Sequence, residues 1–131
     1  MTKNGTQPWA TAGDAGWTNI VAWTPNTGTY PGSSVVSDRL VVQGAKAAAT
    51  VSAAAAFSGG SFARAHRIRL VDQTGAQIGT PGATVNADSG TCQVTATGVD
   101  LTGITSIGLQ MTGTDNWCGT LANTGTALAI T

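Results

Sequence analysis

The sequence predicts an all-β fold: a single antiparallel β-sandwich or jelly roll over residues 35–131, preceded by an extended, Trp-rich N-terminal arm over residues 1–34. Three observations predict it. The 131 residues include 22 Thr, 21 Ala and 18 Gly and no Glu; Thr favours pleated, half-buried surfaces, Gly serves turns, and Ala packs where space is short. From Val35 onward, short runs alternate apolar and polar residues with the period of a strand. Gly-containing turns separate those runs at close, regular spacing, as in sandwiches and jelly rolls. At this length one domain is expected, burying roughly two-thirds of the surface of its unfolded chain.

The arm holds Trp9, Trp17, Trp23, the only Tyr (Tyr30) and three of the four Pro, with turn formers at Asn4-Gly5, Gly13-Asp14, Pro25-Asn26 and Pro31-Gly32. Such a segment reads as extended chain with one short strand around residues 18–24. Strands are then expected at Val35-Val36, at Leu40-Val41-Val42, and over 50–57, where Val51, Ala53, Ala55 and Phe57 share a face. Over 65–71, His66, Ile68 and Leu70 alternate with Arg67, Arg69 and Val71. Asp72-Gln73-Thr74-Gly75 fits a hairpin loop leading to Gln77-Ile78. Further strands are expected at 83–85, at 91–97 with Cys92, Val94 and Ala96 on one face, at 104–111 with Ile107, Leu109 and Met111 on one face, and at 126–131. The stretch 45–56 has eight Ala in twelve residues, a composition that suits a helix. Thr50, Val51 and Ser52 within it, and Gly44 and Gly59-Gly60 around it, favour a strand.

Charge excludes several functions. The net charge is zero and only 9% of residues are charged, against about 25% in ordinary domains. No basic footprint for nucleic acid and no polybasic run for a membrane surface is present. Residues 1–10 are polar and lack the apolar run of a secretory signal, and the longest uncharged apolar stretch, 47–57, is too short to span a bilayer. The expectation is synthesis in a cytoplasm as a soluble chain. Cys92 and Cys118 can pair as a disulfide or remain thiols, and two cysteines in a non-secreted chain are more often reduced.

No catalytic residue, cofactor or metal is expected. Asp14, Asp38, Asp72, Asp88, Asp100 and Asp115 all stand in or beside turn-like sequence, where Asp bonds its own backbone. His66 sits mid-strand without a nucleophile elbow. Cys92, Cys118 and His66 share no metal-ligand spacing, and Gly59-Gly60 lacks the Lys-Ser/Thr of a phosphate loop. Arg64, Arg67 and Arg69 form a basic cluster that reads equally as a solvated face or as an inter-subunit contact. The clearest binding signal is the arm: Trp9, Trp17, Trp23 and Tyr30 are of the residue types that anchor interfaces. Trp117, alone in the polar loop 114–119, reads as a core plug or as a loop-end ligand contact of the kind that stacks on sugars.

The chain resembles small virion proteins of actinobacterial phages, notably capsid decoration proteins and minor tail modules. The resemblance is carried by Gly16-Trp17-Thr18-Asn19-Ile20, Tyr30-Pro31-Gly32, Asp38-Arg39-Leu40-Val41-Val42, 48–53, Arg67-Ile68-Arg69-Leu70-Val71, 75–79 and Thr97-Gly98-Val99-Asp100-Leu101. Over residues 33–131 this order is similar to the second half of a jelly roll of the complement and tumour-necrosis-factor type. It departs from the animal members in lacking their aromatic-rich central strands. The resemblance implies a non-enzymatic structural protein of the virion, assembled as a homotrimer or similar symmetric cluster. The leading expectation is capsid decoration at the capsid surface, because the chain is short: Trp9, Trp17, Trp23 and Tyr30 would bury against the major capsid protein and cement the outer face of the capsid; the alternative is a tail component. As a minor tail or receptor-binding tip it would bind host-surface carbohydrate.

Overall fold

Among residues 1–9 and 16–131, which the computed structural model describes, fourteen strands and no helix are found. The first seven are β1 (Thr2–Lys3), β2 (Gln7–Pro8), β3 (Thr18–Asn19), β4 (Trp23–Thr24), β5 (Val35–Val36), β6 (Arg39–Val41) and β7 (Ala49–Ser58). They are followed by β8 (Ala65–Asp72), β9 (Gln77–Ile78), β10 (Val85–Asn86), β11 (Gly90–Val99), β12 (Ser106–Gly113), β13 (Thr120–Leu121) and β14 (Ala127–Ile130). All pairings are antiparallel, and the strands form two sheets packed as a sandwich around one core.

The first sheet is built on β7. Strand β11 pairs along one edge, from Gly90 opposite Phe57 to Ala96 opposite Val51. Along the other edge, β13 pairs near Phe57 and β14 between Ala54 and Val51. The Ala-rich stretch is therefore a strand from Ala49 onward, because its short side chains fit between neighbours on both sides while Val51 and Phe57 fill the core. In the second sheet β8 and β12 lie side by side, Asp72 opposite Ile107 through His66 opposite Gly113. Strands β9 and β10 flank β8, β6 and β3 flank β12, and β5 pairs outside β6. The period-two pattern holds in all four long strands: the core faces are Val51-Ala53-Ala55-Phe57, His66-Ile68-Leu70, Cys92-Val94-Ala96 and Ile107-Leu109-Met111. Strand 83–85 is displaced to Val85–Asn86.

Two loops follow their chemistry closely. Between β8 and β9, one carboxylate oxygen of Asp72 accepts from the Thr74 amide (2.8 Å), the Thr74 hydroxyl (2.7 Å) and the Ala76 amide (3.0 Å), which closes the expected hairpin. Those donors, Thr74's hydroxyl foremost, hold the Asp72 carboxyl below its ordinary range. Between β5 and β6, Val36 pairs with Arg39 across a two-residue loop whose Ser37 and Asp38 have φ of 50° and 59°, the sign required by primed hairpin turns.

The arm is a correction. Residues 1–34 supply strands to both sheets: β1 lies between β14 and β4, β2 pairs with β13, and β3 pairs with β12. The single strand expected around residues 18–24 is two strands in different sheets, joined through buried Ile20 and through Ala22, whose φ is 59° and whose amide donates to Asp38 Oδ1 at 2.7 Å. Trp9 and Trp23 are core residues, 2% and 7% exposed. The Trp23 indole donates to the Ile20 carbonyl at 2.7 Å, and the Trp9 indole to the Thr112 carbonyl at 2.9 Å. Strands of two residues are too short to display alternation, so β1, β2 and β13 carry no pattern in the sequence. The expected turn at Gly13-Asp14 lies outside the described residues.

The outer edge of β11 is covered from the side. The Gly82 amide donates to the Ile68 carbonyl at 3.0 Å, and Gly82 lies so close to β11 that a Cβ there would stand 2.0 Å from the Gln93 carbonyl oxygen. Only glycine permits that approach. No described helix is long and apolar enough to cross a membrane.

Candidate binding tip

Three loops meet at one end of the sandwich: 59–64 after β7, 87–89 after β10, and 114–119 after β12. Backbone bonds hold them together. The Gly60 amide donates to the Asp88 carbonyl and the Ser61 amide to the Trp117 carbonyl, both at 2.9 Å. The Asp88 carboxylate accepts the Ala63 amide at 2.7 Å. Gly119, with φ of 75°, lets the third loop pass close enough that a Cβ would stand 2.4 Å from the Ser58 carbonyl oxygen.

This scaffold holds two large aromatic side chains out in solvent. Phe62 is 71% exposed and Trp117 55%, with ring centroids 5.7 Å apart and planes perpendicular. Phe62 and Ala63 have φ of 64° and 46°, a conformation that bulky residues avoid. The Arg64 guanidinium stands 5.5 Å from the Phe62 ring, and its Nε is 2.7 Å from Asp115 Oδ2. The other Asp115 oxygen accepts the Trp117 amide at 2.9 Å.

Beneath the tip lies a buried aromatic stack. His66 is fully buried, stacked on Phe57, with Trp9 edge-on to both. One ring nitrogen, Nδ1, is 2.7 Å from the Arg64 carbonyl, and Nε2 is 2.8 Å from the Cys118 carbonyl. His66 therefore spans from the loop carrying Phe62 and Arg64 to the loop carrying Trp117. Read from sequence as a mid-strand histidine without catalytic company, it is a buried residue with both ring nitrogens in contact with backbone carbonyls of the tip loops.

The other sequence-predicted residues are dispersed. Trp17 is half-buried under the Arg69 guanidinium, 4.5 Å from its ring, and Tyr30 is exposed beside a cleft of about 190 Å³ that also involves Ser33, Leu40 and Ile130. The four arm aromatics form no common surface. Arg67 donates to the Gly82 carbonyl and Arg69 to the Gln110 amide oxygen, each at 2.8 Å, so both have partners within the chain. Arg64 belongs to the tip rather than to their cluster. Cys92 and Cys118 are unpaired buried thiols, the more common of the two states weighed from the sequence, and the alternative disulfide is not formed: Cys92 faces the core from β11, and the Cys118 thiol lies 3.8 Å from the Ala65 carbonyl. Sequence reasoning found Trp117 but missed Phe62; its signal was a lone aromatic in the Gly59–Ala63 turn. Compared with protein-family models, curated proteins and solved structures, the chain matches none.

Proposed function

We propose that the chain is a non-enzymatic structural protein of a phage virion, exposed on a minor tail or receptor-binding tip, and that it meets its partner through Phe62, Trp117 and Arg64. The observation that carries this reading is the pair of aromatics held in solvent by a hydrogen-bonded, strained loop scaffold. A sequence that buries Trp9 and Trp23 and leaves Phe62 and Trp117 outside places its anchors where a partner reaches them. The resemblance to phage virion proteins supplies the setting. The direct test is attachment of labelled protein to bacterial cells from a panel of actinobacteria. Trp117→Ala is expected to lower bound protein at least roughly tenfold, as loss of an interface anchor does, and unchanged attachment overturns the reading.

Capsid decoration is the second reading, favoured by a different surface. The outward face of β7, β11 and β14 presents Thr50, Ser52, Ala54, Thr95, Ala127 and Ala129 without a charged side chain. Such a face can lie against the major capsid protein, or against further copies in a trimer, without desolvating a charge. Occupancy of capsids by the protein bearing charged substitutions on this face, Ala54→Lys and Thr95→Lys, tests decoration separately from the tip. Light scattering tests the oligomer, and a monomer at micromolar concentration overturns it.

A further inference from the structure

We infer that the tip is a saccharide site for a neutral pyranose, an inference that rests on the tip being the working surface. A pyranose has two kinds of face: C–H groups that lie against an aromatic ring, and an edge of hydroxyls that both donate and accept hydrogen bonds. The tip offers both complements within a few ångströms. Trp117 and Phe62 form a corner of two perpendicular aromatic walls. Around it stand groups suited to hydroxyls. Neither the terminal nitrogens of Arg64 nor the Trp117 indole nitrogen makes a hydrogen bond among the described residues. The Asp115 carboxylate is held in orientation by the Trp117 amide and by Arg64, and it keeps further acceptor capacity.

Charge and size select among ligands. The charged groups of the three loops are Arg64, Asp88 and Asp115, a net of −1 (one positive, two negative). That balance disfavours uronic acids, sialic acids, phosphates and anionic membranes alike. The two rings expose roughly 300 Å² between them, taking about 150–250 Å² as the full area of each, well short of the about 800 Å² per partner of a stable protein interface. A small, uncharged ligand with one apolar face fits both limits.

The test is titration of the intact protein with neutral methyl pyranosides, followed by tryptophan fluorescence, together with an array of neutral and acidic glycans. Saturable binding to neutral sugars is expected, falling more than tenfold in Trp117→Ala and in Arg64→Met. Trp117→Phe should retain binding within a few-fold because it keeps an aromatic wall. An unchanged melting temperature in Trp117→Ala separates lost binding from lost fold, since that side chain is exposed. Binding confined to acidic glycans, or no binding at millimolar sugar, overturns the inference. If no sugar binds while Trp117→Ala still abolishes cell attachment, the saccharide fails and the tip stands. If attachment ignores Trp117→Ala, the tip reading and the saccharide fall together.

Discussion

His66 lies flat against Phe57, with ring planes within 15° of parallel and centroids 3.7 Å apart. Strand β8 supplies one ring and β7 the other, so the contact joins the two sheets directly below the tip. Trp9, from a segment that carries no strand pattern, closes the stack edge-on at 4.9 Å from His66 and 5.3 Å from Phe57.

Removing the imidazole should damage both the core and the tip. His66→Ala is expected to cost about 3–5 kcal/mol, the scale for deleting a buried ring. His66→Phe keeps a ring but loses the ring-nitrogen contacts to the Arg64 and Cys118 carbonyls, and leaves the carbonyl that accepts from the imidazole unpaired, at about 1–3 kcal/mol. Urea unfolding with an unchanged m-value measures both. If His66 positions the tip, His66→Phe should also weaken attachment at concentrations where the protein remains folded.

Gly82→Ala places a Cβ on a backbone oxygen that cannot swing aside. The loss should be about 3 kcal/mol or more, the upper range for overpacking. Gly28→Ala is the matched control: nothing lies within 4 Å of its Cβ position. It should be neutral or stabilise by about 0.4–1 kcal/mol through the unfolded state. Thermal melts of the two variants should move in clearly different amounts.

Phe62 holds its backbone in a conformation that favours glycine. Phe62→Gly is expected to raise stability by about 1 kcal/mol by relieving that strain, while reducing binding at the tip. A variant more stable and less adhesive than the parent would mark the strain as serving recognition. Reduced stability in Phe62→Gly would show the exposed ring to be a structural element instead.

Burial pushes the Cys92 thiol up from its ordinary 9.0 to about 12. A raised acid favours the neutral form in the folded state. The stability it carries is complete below about pH 9 and is lost as pH rises from there to about 12, because only the unfolded chain ionises in that window. The slope is about 1.4 kcal/mol per pH unit for one proton. Cys92→Val should therefore flatten the alkaline limb of a stability–pH curve. In native protein at neutral pH, both thiols should resist a thiol reagent until denaturant is added.

The long strands were legible because each buries one face completely. Val51, Ala53, Ala55 and Phe57 share one buried face, as do Ile107, Leu109 and Met111, and the Asp72 hairpin announced itself through its Asp, Thr and Gly. The first 34 residues were misread for a physical reason. Their strands are pairs such as Thr2–Lys3 and Trp23–Thr24, whose partners lie far away in sequence or in another two-residue piece, so no local period exists to find. A density of tryptophan there looked like an external anchor, but indoles with a satisfied N–H serve a core as well as an interface, and Trp9 and Trp23 have such partners. Of the tip, Trp117 was visible as one large aromatic among polar neighbours. Phe62 gains its meaning only from the φ that turns it outward and from the loop that Gly119 allows to pass beside it.

The pairing of Thr2 with Ala127 has a bearing on how the chain is made. Strand β1 has no place in its sheet until β14 has arrived beside β7, and β4 waits on β1 in turn. During translation the residues of β1 leave the ribosome well before those of β14 and pair only once these have followed. At about 5–20 residues per second, they spend several seconds unpaired. Closure of this sheet consequently waits for β14 to be made, and the Ala-rich strand β7 must pass that interval with one edge open.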